Sequence, residues 1–296
     1  MKKEKPKIMH SLKIVDQYHF KNVPSKQQKL FFDFQKNHPY STISVQNKKL
    51  EYIVSGKGER TLVFLHGALV KSDMWFYPIT KLEDKFRIIA PLFPSQMMGA
   101  QEATDFISSI LKKENIPKAT FIGYSYGGGV AQYFAEKHPD LVDRLVLSHT
   151  GILGRENSIN QLKKFRRVVK FSPLFLIKMK LKKRIECISS SKWNEFHKAY
   201  FARSSSELTK RILLDYSENM LKLECETQNF PTDKRKWKGE TIVLGTRDDK
   251  DAFKYFEKLS NLYPNSKDYI FKEKGGHHML FLFPEKYTQV LTKFLL

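Results

Sequence analysis

Six short apolar runs interleaved with helical stretches constrain this chain more than any other feature of its sequence. Thr61–Leu65 is continuously apolar apart from its first residue, as a strand buried on both faces must be. Arg87–Ala90, Ala119–Ile122, Leu145–Leu147, Thr241–Leu244 and the shorter Tyr269–Phe271 repeat the pattern. Between them, Ala103–Lys113 places Phe106, Ile107, Ile110 and Leu111 on one helical face. Gly128–Lys137, Ala252–Leu262 and Pro284–Leu296 are further expected helices, the last with Pro at its start. Strands that alternate with helices predict an α/β fold: a mostly parallel central sheet with helices on both faces. Two runs ahead of this series, Thr42–Gln46 and Leu50–Ser55, flank the turn Asn47–Lys48 and predict a hairpin.

The alternation breaks once. From about 154 to 238 the patterns are helical and no strand is evident, which predicts an all-helical insertion between two strands. The expected division is therefore an N-terminal extension over 1–41, a core over 42–153 and 239–296, and the insertion over 154–238. With 41% hydrophobic and 13% aromatic residues the chain has the material for a large core, so whole-chain disorder is not expected.

One motif carries chemistry. Gly123-Tyr124-Ser125-Tyr126-Gly127 reads G-x-S-x-G, directly after the run Ala119–Ile122 and directly before a helix. A serine between strand and helix is forced into a strained turn, and the residues two before and two after it must be small. The helix N-terminus beside it favours negative charge. A serine hydroxyl is a weak nucleophile at neutral pH and needs a base, and the base needs an orienting carboxylate.

With this strand–serine–helix unit the chain resembles the α/β-hydrolase fold superfamily, in its serine hydrolase branch with a helical lid. In that family the order along the chain is serine, acid, histidine. The resemblance implies Ser125 as nucleophile. It implies Asp248 as acid, three residues after the Gly245 that ends the strand Thr241–Leu244, with Asp249 a rival and Asp251 placed to cap the next helix. It implies His277 as base, in Gly275-Gly276-His277-His278, with His278 the alternative. The oxyanion donors it implies are the backbone N–H groups of Ala68, after His66-Gly67, and of Tyr126. His66 itself reads as a hydrogen-bonded turn residue. Where some relatives place the acid, this chain has His149, which favours Asp248. Two departures stand: Ala252-Phe253 replaces the Val-Pro common after the acid, and the loop Pro91–Gln96 lacks the Asp common there.

The function so implied is hydrolysis of a carboxylic ester or related acyl bond through an acyl-enzyme, with a small-molecule acyl or ester substrate. The alternative is a non-enzymatic member of the fold that binds a ligand or partner. No cofactor or metal is expected, since the two cysteines, Cys187 and Cys225, show no ligand spacing. Cysteine usage and the absence of an apolar run after the basic N-terminus lead to a cytoplasmic expectation.

The charge points further. Lys and Arg total 52 against 31 Asp and Glu, a net of +21. No nucleic-acid recognition motif accompanies it, so specific nucleic-acid binding is not expected. The segment 161–184 holds ten cations and no acid, with Phe165, Val168, Phe171, Phe175 and other apolar residues among them. Two readings stay open: peripheral contact with an anionic membrane, or a lid whose apolar residues line the pocket while its charges face water.

Overall fold

The computed structural model describes residues 18–95, 99–186, 191–230 and 236–296. Gln96, Cys187, the first 17 residues of the expected extension and the stretches 187–190 and 231–235 of the expected insertion lie outside the described residues, as does the side chain of Arg184.

Eight strands form one sheet. They are β1 (Tyr40–Val45), β2 (Lys48–Ser55), β3 (Thr61–Leu65), β4 (Arg87–Leu92), β5 (Ala119–Tyr124), β6 (Val142–Ser148), β7 (Thr241–Thr246) and β8 (Ser266–Phe271). Their spatial order is β1-β2-β4-β3-β5-β6-β7-β8. The hairpin β1–β2 and the β2–β4 pair are antiparallel, and every other pair is parallel. The sheet begins at Tyr40, so the expected extension already contains the start of the first strand.

The helices are α1 (Ser25–Asn37), α2 (Phe76–Leu82), α3 (Ala100–Lys113), α4 (Tyr126–Lys137), α5 (Glu156–Phe171), α6 (Leu174–Glu186), α7 (Asn194–Glu207), α8 (Lys210–Glu226), α9 (Lys250–Phe253), α10 (Phe256–Asn261), α11 (Met279–Leu282) and α12 (Pro284–Leu295). The single helix expected over Ala252–Leu262 is two short ones. Asp249 caps the first, accepting from the Ala252 N–H, and the Tyr255 N–H closes its end on the Ala252 carbonyl.

The period-two alternation of β-strands explains both layers. Leu62 and Phe64 point into one core with Ile88, Ile122, Val146 and Ile242, covered by α1, α2, α7, α11 and α12. Val63 and Leu65 point into the other with Ile89, Phe121, Leu145 and Val243, covered by α3, α4 and α10. Buried on both faces, these strands have no solvent side, which is why their sequences are apolar throughout. Helices α5 to α8 occupy the chain between β6 and β7, and its described residues contain no strand. Val169, Ile177, Leu208 and Leu213 form a small third core there.

A buried ion pair ties this insertion to the sheet. The Asp73 carboxylate, just after β3, accepts from Arg203 on α7 at 2.8 Å and from the Tyr200 hydroxyl at 2.6 Å. Gln35 on α1 adds a third bond, and the Arg203 guanidinium lies over the Phe31 ring.

Candidate active site

The parallel register brings the C-terminal ends of β3, β5, β6 and β7 to one edge: Leu65 pairs with Gly123, Tyr124 with Ser148, and Ser148 with Leu244. Loops leaving that edge converge, as ligand sites in open α/β sheets do.

Ser125 stands in the turn from β5 to α4 with φ 53° and ψ −116°, a conformation costly for a side chain that is not glycine. Surrounding bonds over-determine it. Its N–H donates to the Ser148 carbonyl, and its carbonyl accepts from the Thr150 hydroxyl and the Gly128 N–H. A Cβ on Gly123 would stand 2.5 Å from the Gly127 carbonyl oxygen, and one on Gly127 would stand 2.1 Å from that of Leu65. The turn therefore exists only with glycine at both places.

His277 lies in a single 3-10 turn, Gly276–His278, after β8. Its Nε2 is 2.9 Å from the Ser125 Oγ and its Nδ1 is 2.7 Å from the Asp249 Oδ2. Serine, imidazole and carboxylate are thus in line. His278 does not enter this line; its ring packs on His197 and Phe201 at one wall of a neighbouring cleft.

The carboxylate on His277 belongs to Asp249, which corrects the expectation of Asp248. The chain turns after β7, with the Asp249 N–H donating to the Thr246 carbonyl. That turn directs Asp249 inward, 4% exposed, and sends Asp248 to the loop that carries His277. There the Asp248 carboxylate accepts from the Gly276 N–H at 3.0 Å, while the Thr246 hydroxyl donates to the Gly276 carbonyl. Asp251, expected to cap a helix, lies instead at the mouth of the site, and Asp249 is the cap. Burial works against charge on Asp249. The bond and charge of His277 and the Ala252 N–H outweigh it and hold the carboxyl below its usual range.

Ala68 lies in the loop after β3, and Tyr126 is the first residue of α4. A Cβ on Gly67 would be 3.6 Å from the Ser125 Cβ, so this loop rests against the serine. Behind it, His66 is fully buried, and the Phe93 N–H donates to its Nε2 at 2.9 Å. Nδ1 therefore carries the proton and donates to the Gly67 carbonyl at 2.7 Å. The ring is the hydrogen-bonded turn residue expected from the sequence.

Two clefts meet at Ser125, Asp251 and His277. One, about 430 Å³, is apolar, with Leu69, Val70, Met74, Leu181, Phe201 and Phe281 among its walls. The other, about 360 Å³, carries polar groups: Thr150, Arg155, Ser158, Gln161 and Glu224. Arg155 is held by Glu224 and lies over the Tyr255 ring, 3.9 Å from its centroid. These wall residues come from loops after β3 and β6, from α11 and from the inserted helices, so they meet only in the folded chain; of them the sequence pattern pointed only to the apolar residues of the insertion. Among the described residues no cluster of His, Cys, Asp or Glu could hold a metal ion.

Three buried histidines set the acid limit of the structure. Burial lowers the pKa of His66 to about 4, of His149 to about 3 and of His197 to about 4. The unfolded chain binds protons on these rings near the ordinary value of 6.5, so between there and about pH 4 it holds more protons than the native state. Stability is full above that window and falls as pH drops through it, by on the order of 3 kcal/mol or less for each ring. The melting temperature should fall clearly between pH 7 and pH 4.5 in thermal denaturation; a flat profile would contradict the buried neutral assignment.

Comparison with known proteins agrees with this architecture. A profile for the alpha/beta hydrolase fold matches residues 98–172, which include β5, Ser125, α4 and β6. The chain has the α/β-hydrolase fold. It is 29% identical over 124 residues to an uncharacterized protein of Mycobacterium bovis, covering 39% of this chain and 36% of that protein. It is 28% identical over 125 residues to 3-oxoadipate enol-lactonase 2 of Acinetobacter baylyi, covering 38% and 46% respectively. Each match thus spans less than half of the curated relative. A solved esterase from Exiguobacterium antarcticum superposes with a TM-score of 0.70 at 17% identity, over 86% of this chain and 98% of that one.

Proposed function

We propose that this chain is a serine hydrolase of carboxylic esters or related acyl bonds, acting through an acyl-enzyme. The observation that carries the reading is the line from Ser125 Oγ through His277 to Asp249, with both links within hydrogen-bond distance. His277 takes the serine proton as Oγ attacks the carbonyl carbon. Buried, ionised Asp249 holds the ring's orientation and stabilises the imidazolium. The N–H groups of Ala68 and Tyr126 receive the oxyanion, the second reinforced by its place at a helix N-terminus. His277 then passes its proton to the leaving alcohol. Water, deprotonated by the same ring, attacks the acyl carbon, and the carboxylic acid leaves as Oγ regains its proton.

The clefts suggest which half of the substrate goes where. An acyl chain suits the apolar cleft, and a polar leaving group suits the side of Arg155 and Glu224. Helices α5 to α8 serve as the lid that shapes both. Esterase and lactonase relatives support the class of bond.

A p-nitrophenyl ester series from acetate to palmitate tests this reading. Turnover is expected, with kcat/KM at least about tenfold higher for hexanoate than for acetate, given what extra methylenes contribute in an apolar pocket. A fluorophosphonate should abolish turnover at one equivalent and appear on the tryptic peptide holding Ser125. No turnover on any ester, with no adduct on Ser125, would overturn the proposal and favour a binding protein.

A further inference from the structure

We infer that the outer face of α5 and α6 is a docking surface for an anionic lipid bilayer. Of the exposed large apolar side chains among the described residues, all but Tyr18 and Leu296 lie on these two helices. Val168 and Phe171 follow one another at helical spacing along α5, after Phe165, which also borders the polar cleft, and Phe175, Leu176 and Met179 continue on α6. The most exposed of them, Phe171 at 77%, Phe175 at 62% and Met179 at 59%, flank or follow the corner at Ser172–Pro173. The opposite faces are occupied: Val169 and Ile177 are buried in the third core, and Leu181 and Ile185 line the apolar cleft.

Charge identifies the occupant. Lys163, Lys164, Arg167 and Lys170 surround the apolar row on α5, and Lys178, Lys180, Lys182 and Lys183 surround it on α6. No acid occurs between Gln161 and Arg184, and the Arg166 beside them pairs with Glu218 of α8. Large apolar groups set among cations match the boundary between anionic headgroups and acyl chains. The cations meet the lipid charge while the rings leave water. A duplex nucleic acid would satisfy the cations alone and leave Phe171 and Phe175 in water. No helix of the described residues is long and apolar enough to cross a membrane. Because α5 and α6 also wall both clefts, docking would bring the mouth of the site to the lipid.

Co-sedimentation of the full chain with vesicles tests the inference without reference to catalysis. Partition onto mixed phosphatidylglycerol–phosphatidylcholine vesicles should exceed that onto pure phosphatidylcholine by at least about tenfold at low salt, and should weaken as salt rises. The triple variant Phe171→Ser, Phe175→Ser, Met179→Ser changes side chains that line neither cleft. It should keep the wild-type melting temperature and its activity on a water-soluble ester, yet lose most of its partition. A lack of partition onto the anionic vesicles at low salt would overturn the inference. So would a folded triple variant that partitions like the wild type, since general positive charge would then explain the binding.

Discussion

Ser125→Ala should lower kcat by about a million-fold and Asp249→Asn by about ten-thousand-fold, the losses typical of a nucleophile and of the carboxylate that orients its base. Asp248→Asn should cost no more than about tenfold. The difference between neighbouring aspartates follows from what each carboxylate touches. Asp249 bonds the imidazole Nδ1 and is buried, so its amide would present the wrong hydrogen-bonding pattern to His277. Asp248 bonds the Gly276 N–H, an uncharged donor that an asparagine oxygen serves nearly as well. Steady-state kinetics of the three purified variants on one p-nitrophenyl ester would measure this. Equal losses at 248 and 249, or a larger loss at 248, would remove Asp249 from its assigned role. KM should change little in Asp249→Asn, because that carboxylate lies behind His277 and lines neither cleft.

Removing one partner of the Asp73–Arg203 pair should be the most destabilising change at a charged residue outside the active site. Both side chains are less than a tenth exposed, at 9% for Asp73 and 5% for Arg203. Arg203→Ala leaves the Asp73 carboxylate buried with the Tyr200 hydroxyl and Gln35 as its remaining side-chain partners. Leaving a buried charge without its counter-ion costs about 3–5 kcal/mol. Burial works against charge on Asp73, yet the Arg203 charge outweighs it and holds the carboxyl below its usual range. Arg203→Ala removes that support. The double replacement Asp73→Leu with Arg203→Met should recover most of the loss, since neither charge then remains buried. Denaturation midpoints of the single and double variants would measure this. A single variant within about 0.5 kcal/mol of wild type would contradict the account. Arg203 lies on α7 beside Ser204 and Ser205 of the apolar cleft, so the single variant should also lose discrimination among acyl chains.

The legible parts of this molecule are those fixed by short-range rules. Each of the eight expected strands is present: burial on two faces leaves a local apolar signature at inner strands such as β3, β5 and β7, and the turn at Asn47–Lys48 marks the hairpin β1–β2. The elbow was legible for the same reason: Gly123, Ser125 and Gly127 meet a steric demand within five residues. Reading the acid as Asp248 failed on one residue of turn geometry. Counting from Gly245 places both aspartates in the loop, and only the bond from the Asp249 N–H to Thr246 decides which one faces in. The break between α9 and α10 has no local apolar signature: the Asp249 cap starts α9 two residues before Ala252, and the chain turns again before Phe256. The Asp73–Arg203 pair left no trace at all, since its members lie 130 positions apart and neither sits in a motif.

The third core has a bearing on how such a protein changes over generations. Val169, Ile177, Leu208 and Leu213 hold the outer helices together apart from the two clusters that hold the sheet. A region resting on so few buried groups opens at lower free energy than the whole. It also tolerates substitution without endangering Ser125, His277 and Asp249, whose supports lie in the strands and their loops. Under the proposed function, variation in substrate range can therefore accumulate in α5 and α6 while the reaction itself stays protected.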